Sequence, residues 1–530
     1  MPRTGWNNNE TRPTNLLIAE SGGEKGHASI GPCHLHVRLC GGVTSTRVLS
    51  WRPRLALLLI LVLLLVAICC SGIFFGYGLR RTSCTRSALG DVARTGAQAD
   101  IMRIKEEQVS QFVLPLAGFR ALIVSHELSA TGAPRACFEL AQVMGAMGAE
   151  IRVSLQGHPG PEAEKEICSF AKSTMPSTML KLRFGCSALS RQALSAPGIV
   201  LVSTAIVRNA LFLRTFREVY DSDAVLVWWI HEGASVMAVL GDEALNLALN
   251  VLADPQKLDA VLFVSESCRR FWVNAAAARG ASIAAPTYIL HWGVPEWKRE
   301  SLDAALLDPR GPSALRASLG FGPNDFVFLM LSSFNLLKGH SGVAKAIVRA
   351  NRQCPSLCRF RLLAAGMGLS WPGSFPQEEL KWALSHSDLR FLPSTMDVAT
   401  YLAASDAYVS NSKRGGETWG LATLEAATMG RVVLASGVGG TLEQLEHNVS
   451  ALFHSIGLGD TDTEVDELAA NMCAIATDAN LATRISTGAQ DVTRGRLGQA
   501  QLEMKLAELA GAFSRLGAQK RSSVMDAGRR

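Results

Sequence analysis

"GGETWGLATLEAATMGRVV", Gly415 to Val433, carries two glutamates, Glu417 and Glu425, eight positions apart. The preceding apolar run Ala407–Ser410 reads as a strand, and "NSKRGG" after it as a loop that Glu417 closes. Gly420 lets the backbone approach a neighbour closely. A helix over Ala422–Thr428 follows, and Gly430 is placed to stop it. On this reading the free N–H groups of Trp419, Gly420 and Leu421 form a helix N-terminus suited to phosphate oxygens. Glu417 is then placed to hold sugar hydroxyls, and Glu425, further along the same side, to reach a ribose. The plainer reading is a helix-capping acid and a surface glutamate. The segment alone leaves both open.

The surroundings favour a parallel sheet. From Phe119 onward, short apolar runs alternate with amphipathic stretches. Strands are expected at Ala121–Ser125, Ile151–Leu155, Ile199–Val202, Ala224–Ile230, Ala260–Val264 and Tyr288–Leu290, with helices between them such as Arg135–Met147 and Asn209–Tyr220. "DPRGPSALRASLGFGPND" (Asp308–Asp325) reads as a Pro/Gly-rich break. The alternation then resumes, with strands at Phe326–Leu331, Arg361–Ala365, Leu389–Leu392, Ala407–Ser410 and Val432–Ala435. Helices are expected at Val343–Arg352, Gln377–Ser385 and Val398–Ala404. Apolar strands alternating with helices imply sheets covered on both faces. Two such doubly wound domains create a cleft at the carboxyl edges of their strands, where ligands bind. The expected limits are 118–310 for the first domain and 320–480 for the second. Helices follow over 481–530, ending in a basic, disordered tail from Lys520.

Leu55–Phe75 is a run of 21 residues without a charge. As a helix it spans about 30 Å, the thickness of the hydrocarbon core. It is too long, and starts too far from Met1, for a cleaved signal peptide. A single-pass anchor is expected, with a polar tail over 1–54 and a stem over 76–117. Arg47, Arg52 and Arg54 on one side nearly balance Arg80, Arg81 and Arg86 on the other. Further basic residues in the short tail (Arg3, Arg12, Lys25, Arg38) favour a cytosolic N-terminus and a lumenal catalytic part. Sequons lie on both sides, at Asn9 and at Asn448, and only the lumenal one would carry glycan.

A net charge of +6 over 530 residues, without a basic stripe, argues against a nucleic-acid partner. The twelve cysteines are scattered and are expected to be mostly small core hydrophobes. The one tight pair after the apolar run, Cys354 and Cys358, has no second pair nearby, so no zinc site is expected.

Taken together, "GGETWGLATLEAATMGRVVLASGVGGTLEQLEHNVSALF" resembles the C-terminal signature of the retaining family 4 glycosyltransferases. That signature is Glu-x7-Glu with an aromatic-Gly after the first acid, then a Gly-Gly pair, here Gly439-Gly440, and a following acid, here Glu443. Upstream, "SSFNLLKGH" (Ser332–His340), "VWWIHE" (Val227–Glu232), "VSES" and "HWGVPE" (His291–Glu296) fall in the family's order. "SHELSATGAPRACFELA" (Ser125–Ala141) resembles the Gly-rich loop and helix of a plant-type membrane-anchored subgroup. The resemblance covers roughly Ala121 to Phe453. It implies the GT-B fold, with two Rossmann-like domains facing a cleft. It also implies transfer from a nucleotide sugar, by family default UDP-linked, with retention of anomeric configuration.

On the same resemblance Lys338 neutralises the departing diphosphate, Glu417 holds the donor sugar, Glu425 holds the ribose and His231 sits beside the reacting sugar. Trp419, Gly420, Leu421, Gly439 and Gly440 complete the donor side, and Gly132 and His126 face the cleft from the first domain. Lys338 and the helix amides would make a metal unnecessary, and no cofactor beyond the nucleotide-sugar substrate is implied. Ser333 stands where the family usually has an arginine. Lys413 or Arg414 could replace that charge, and the plant-type subgroup also has serine there.

Asp221-Ser-Asp223 and Asp460-Thr-Asp462 read as polar turns, and Trp228 and Trp229 as sheet packing. His291 ends a strand and reads as a structural group. The expectation is a single-pass glycosyltransferase of the Golgi, with the endoplasmic reticulum as the other possible membrane. Its acceptor, whether glycan, protein or lipid, is left open. The competing reading is a non-catalytic sugar-nucleotide-binding or scaffold protein with the same fold.

Overall fold

The computed structural model describes residues 115–528, apart from 128, 130, 156–183, 187–197, 221–222, 356–357, 369–376, 414 and 456–460. The apolar run Leu55–Phe75, most of the stem, the sequon at Asn9, Asp221, Arg414 and Asp460 lie outside these residues. Among the described residues no single helix is long and apolar enough to cross a membrane. One pair, Ala234–Leu240 with Asp242–Ala253, would be so by length and composition, but it is bent by 118°.

The first lobe runs β1 (Arg120–Ser125), α1 (Gly132–Ala146), β2 (Glu150–Leu155), β3 (Phe184–Cys186), β4 (Ile199–Ser203), α2 (Val207–Tyr220) and β5 (Val225–Ile230). It continues with α3 (Ala234–Leu240), α4 (Asp242–Ala253), β6 (Ala260–Phe263), α5 (Glu266–Ala277) and β7 (Thr287–Ile289). The strands are parallel in the order β3-β2-β1-β4-β5-β6-β7. All six residues of β5, "VLVWWI", are buried, as a strand covered on both faces requires. Trp228 and Trp229 are fully buried in that packing, as expected. α1 starts earlier than the apolar pattern suggested, because Pro134 falls in its first turn, where no N–H is needed.

α6 (Glu296–Leu307) and α7 (Arg310–Ser318) connect the lobes. The second of these corrects the expected Pro/Gly-rich break. Its Pro312 also lies in a first turn, and Arg316 anchors it by donating to the Ala404 carbonyl at 3.0 Å and to Asp406 at 3.1 Å.

The second lobe comprises β8 (Phe326–Leu331), α8 (His340–Gln353), β9 (Phe360–Gly366), α9 (Gln377–Leu384), β10 (Leu389–Pro393), α10 (Val398–Ala403) and β11 (Ala407–Ser410). α11 (Leu421–Thr428), β12 (Val432–Ser436), α12 (Thr441–Gln444) and β13 (Leu452–His454) complete its sheet. The order is β10-β9-β8-β11-β12-β13, again parallel. In each lobe the strand order reverses beside the first strand, between β1 and β4 and between β8 and β11.

α13 (Asp462–Thr477), α14 (Ala479–Arg494) and α15 (Gln499–Gly528) follow. Leu502, Leu506, Leu509 and Phe513 of α15 belong to the core of the first lobe, so the chain crosses back to its starting domain. The tail expected to be disordered from Lys520 is the end of this helix. Lys520 donates to the Ala224 carbonyl at 3.2 Å and lies 3.6 Å from Asp259.

Cys137 and Cys268 are buried thiols, but Cys354 and Cys473 form a disulfide, which corrects the expectation of mostly isolated cysteines. The bridge joins the end of α8 to α13 across 119 residues of chain. Closing so long a loop restricts the unfolded chain strongly. Replacing both cysteines by serine is expected to lower unfolding stability by about 2–5 kcal/mol. Calorimetry of the wild-type protein with and without reductant should show the same loss.

Candidate active site

A cavity opens at the carboxyl ends of β8 and β11, at the reversal point of the second sheet. Such a point is where open α/β sheets bind ligands. Ser332 and Ser333 line it beyond β8, Ser410 and Ser412 at and after β11, and Trp419 to Thr423 at the start of α11. Thr131, Gly132 and Arg135 line it from the first lobe. The charged residues among the described lining are Arg135, Lys338, Glu417 and Glu425.

Lys338 ends a short 3₁₀ turn, Leu336–Lys338, and Gly339 follows it. Its Nζ donates to Glu417 Oε2 at 2.9 Å and to the Gly416 carbonyl at 2.9 Å. The structure therefore brings the predicted Lys338 and Glu417 into direct contact. Gly420, at the N-cap of α11, has no side chain with which to cap the first turn, and Gly420 to Thr423 line the cavity. A Cβ on Gly420 would come within 2.8 Å of Thr423 Oγ1, so the room this glycine makes is used by a side chain of the same helix.

Gly439 and Gly440 are not among the cavity's lining residues. They pack on the segment that carries the first acid. A Cβ would lie 2.0 Å from the Glu417 carbonyl oxygen at Gly439 and 1.9 Å from that of Thr418 at Gly440. Gly439 also has φ of +53°, a conformation that glycine adopts most readily. The pair thus fixes the backbone that presents Glu417. At Gly132 an added Cβ would meet open space.

Glu425 is not a surface glutamate: it is 1% exposed. Its Oε1 accepts from Arg135 Nη2 and pairs with Lys298 Nζ, while Oε2 is buried with no partner among the described residues. Arg135 Nε also donates to Glu139 Oε1 at 3.1 Å, and Lys298 donates to the same oxygen. The Trp292 indole donates to Glu139 Oε2 at 3.0 Å. Arg135 and Glu139 lie on α1 of the first lobe, Lys298 on α6, and Glu425 on α11 of the second. Burial opposes charge on Arg135, but Glu425 and Glu139 outweigh it and raise its pKa. Burial likewise opposes charge on Glu139, and Lys298 with Arg135 overcomes it, so its pKa is lowered. Sequence reasoning missed Arg135, Glu139 and Lys298. Arg135 stood in the quoted Gly-rich segment, but nothing local marked its partner 290 positions away.

A second bridge uses Glu443. Its carboxylate accepts from the Glu266 and Ser267 amides at 2.8 and 2.7 Å and meets His291 Nε2 at 3.0 Å. This acid of the Gly-Gly motif therefore sits on the first turn of α5 in the other lobe. The His291 ring stacks on Trp419 at 4.7 Å, and the Trp419 indole donates to the Trp292 carbonyl at 2.9 Å.

His231 and His126 do not line the cavity. The His231 ring packs on Trp229 at 4.3 Å, and its Nε2 is buried with no partner among the described residues. Burial, with the charge of His126 adding to it, pushes its pKa down to about 3, so it is neutral at pH 7. Its backbone carbonyl accepts from Thr418 Oγ1 at 2.6 Å. His126 Nδ1 lies 3.2 Å from Thr204 Oγ1, across the reversal point of the first sheet. Lys413 is likewise not among the lining residues. Asn448 is exposed, with φ of +61°.

Comparison with known proteins places this geometry in a class. Residues 313–492 match the family model "Glycosyl transferases group 1", and residues 117–297 match "Glycosyl-transferase family 4". The chain is a glycosyltransferase with two Rossmann-like domains of the GT-B kind. No curated protein matches the chain. Among solved structures, it is similar to Anabaena Alr3699/HepE in complex with UDP, with a TM-score of 0.55 and 18% identity, over 74% of this chain and 100% of that one. Sucrose-phosphate synthase from Thermosynechococcus elongatus is similar with a TM-score of 0.51 and 16% identity, over 74% and 98%. The α,α-trehalose 6-phosphate synthase from Burkholderia multivorans gives 0.53 and 13%, over 76% and 99%. At these identities the likeness is one of fold.

Lys298→Met leaves Glu139 and Glu425 buried with only Arg135 between them. It is expected to destabilise the protein by about 3–5 kcal/mol, measured by urea unfolding at pH 7. The lowered pKa of Glu139 means its contribution is present above the unfolded carboxylate pKa, about 4.3, and is lost as pH falls through the folded value. The variant should therefore lose less stability than the wild-type protein between neutral and acid pH.

Proposed function

We propose that this protein is a membrane-anchored, retaining glycosyltransferase that takes its sugar from a UDP-linked donor without a metal ion. The observation that carries the reading is the convergence of Lys338, Glu417 and the uncapped start of α11 on one cavity at the reversal point of the sheet. A diphosphate seated there would meet an ammonium and free amides, the groups that stabilise charge developing on a leaving phosphate. The bond from the anomeric carbon to the β-phosphate oxygen breaks, and the oxygen of an acceptor hydroxyl takes its place on the same face of the sugar, its proton passing to the departing phosphate oxygen. Glu417 holds the sugar's hydroxyls, and the free Oε2 of Glu425 accepts from the ribose. The UDP and UDP-glucose held by Anabaena Alr3699/HepE support the choice of donor. His231 enters the reading through its carbonyl, which steadies the loop of Glu417, and its neutral ring faces the first-lobe side.

The Cys354–Cys473 disulfide supports a catalytic part in an oxidising lumen, with Leu55–Phe75 as the anchor and the N-terminal tail cytosolic. The Golgi is the compartment that fits a lumenal glycosyltransferase of this form. The acceptor belongs to the first lobe and its class is left open.

A second reading, a nucleotide-sugar-binding protein without transfer, has one observation in its favour. Ser333 lines the cavity where a second cation would assist the leaving group.

Lys338→Ala is expected to lower turnover of a nucleotide sugar by about 10²–10³-fold while the melting temperature stays near wild type. Unchanged turnover refutes the mechanism, and donor binding without transfer or hydrolysis by the wild-type protein favours the second reading. Expressed in animal cells, the protein should carry a glycosidase-sensitive glycan that Asn448→Gln removes. A protein without that glycan would contradict the lumenal placement.

A further inference from the structure

The cavity lining, as described, holds only two cations, and one of them comes from the wrong lobe for a nucleotide site built on the second sheet alone. Lys338 belongs to the second lobe, and Arg135 reaches in from α1 of the first. Resting on the donor site proposed above, we propose that Arg135 is a diphosphate-binding residue, supplying from across the cleft the positive charge that Ser333 does not.

Three observations support this. First, the guanidinium has been only partly used. Nε donates to Glu139 and Nη2 to Glu425, while Nη1 has no partner among the described residues. Nη1 is also absent from the fully buried unpartnered atoms, and the side chain keeps 20% exposure where its carboxylate partners keep 5% and 2%. Arg135 itself is among the residues that line the cavity. Second, Arg135 touches Oε1 of Glu425, and Oε2 of the same carboxylate is the buried, unpartnered acceptor left for a ribose hydroxyl. A ribose held there places its own 5′-phosphate within reach of the neighbouring guanidinium. Third, charge requires it. Without Arg135 the lining would carry Lys338 against Glu417 and Glu425, a net negative wall facing an anion. With Arg135 the wall is neutral before the donor arrives. Its two carboxylate contacts also hold the guanidinium plane in place, so little side-chain freedom is lost when a phosphate oxygen joins.

Binding of UDP, ADP and GDP, and of uridine, adenosine and guanosine, to the full-length protein in detergent tests the assignment. It is measured calorimetrically for wild type, Arg135→Lys and Arg135→Gln. The nucleoside diphosphate that binds wild type should lose about 10- to 100-fold in affinity in Arg135→Gln, a charge-assisted hydrogen bond's worth, while its nucleoside changes less than about twofold. Arg135→Lys, which keeps the charge but lacks the fork, should fall between and should fold even if the glutamine variant does not. Equal losses for diphosphate and nucleoside, in either variant, would show that Arg135 acts only through Glu425 and would overturn the proposal. Unchanged diphosphate affinity in Arg135→Lys and Arg135→Gln would overturn it too, with the donor site intact. Failure of the wild-type protein to bind any of the three diphosphates would overturn the donor reading itself, and this inference with it.

Discussion

Three buried charges and one partly exposed arginine tie the molecule together. Glu425 and Glu139 are buried carboxylates, and Arg135 and Lys298 lie against both of them. Removing either cation would leave a buried charge uncompensated, which is far more costly than never having the pair. The four residues come from α1, α6 and α11, so the arrangement is complete only when the first lobe, the connecting helix and the donor-side helix are together. The closed cleft is therefore an electrostatic condition as well as a packing one. A quartet of two cations and two anions is neutral overall, so its charges compensate one another within the interface.

The pair Lys338–Glu417 is built on the opposite principle. Its side chains are 21% and 14% exposed, and its hydrogen bonds compete with whatever enters the cavity. An arriving diphosphate offers Lys338 a more highly charged partner, and the same exchange frees Glu417 for hydroxyl groups. Both sets border the one cavity: Arg135 and Glu425 reach it from the interlobe quartet, and Lys338 and Glu417 from the second lobe alone.

Much of this was legible in the chain. The strand pattern of both sheets follows from apolar runs, because a strand covered on both faces needs uniform burial, as in β5 and β12. β3 and β13, three residues each at a sheet edge, were not read from the sequence, although β7, equally short and also at an edge, was. α7 was hidden by Pro309 and Pro312, which the first turn of a helix accommodates. The end of α15 looked like a solvated basic tail, since its anchors, the Ala224 carbonyl and Asp259, lie in another domain. At the site, the two glutamates were marked by their spacing, and the lysine by the resemblance of Ser332–His340 to the family's strand-end loop. Their environments were not, since ion pairs between α1 and α11 leave no mark on local sequence. Gly439 and Gly440 show a motif whose geometric role lies one layer behind the cavity, against the carbonyls of Glu417 and Thr418.

The remaining bridge explains why the lobes meet with the donor-side loop between them. Glu443 takes both amides at the start of α5 and the ring of His291, and the His291 ring in turn lies flat on Trp419. Burial alone would push the Glu443 carboxyl up, but His291 and the two amides more than offset it and hold its pKa below the usual carboxylate range. Thr418 reaches the His231 carbonyl, and Ser235 donates to the Gly415 carbonyl from the same side. The loop from Gly415 to Gly420 is thus held by first-lobe atoms at both of its ends and by the glycine pair from behind. Glu417 sits in the middle of that span. Its position is a product of both domains, so a relative movement of the lobes would displace the acid of the second lobe's own sequence motif.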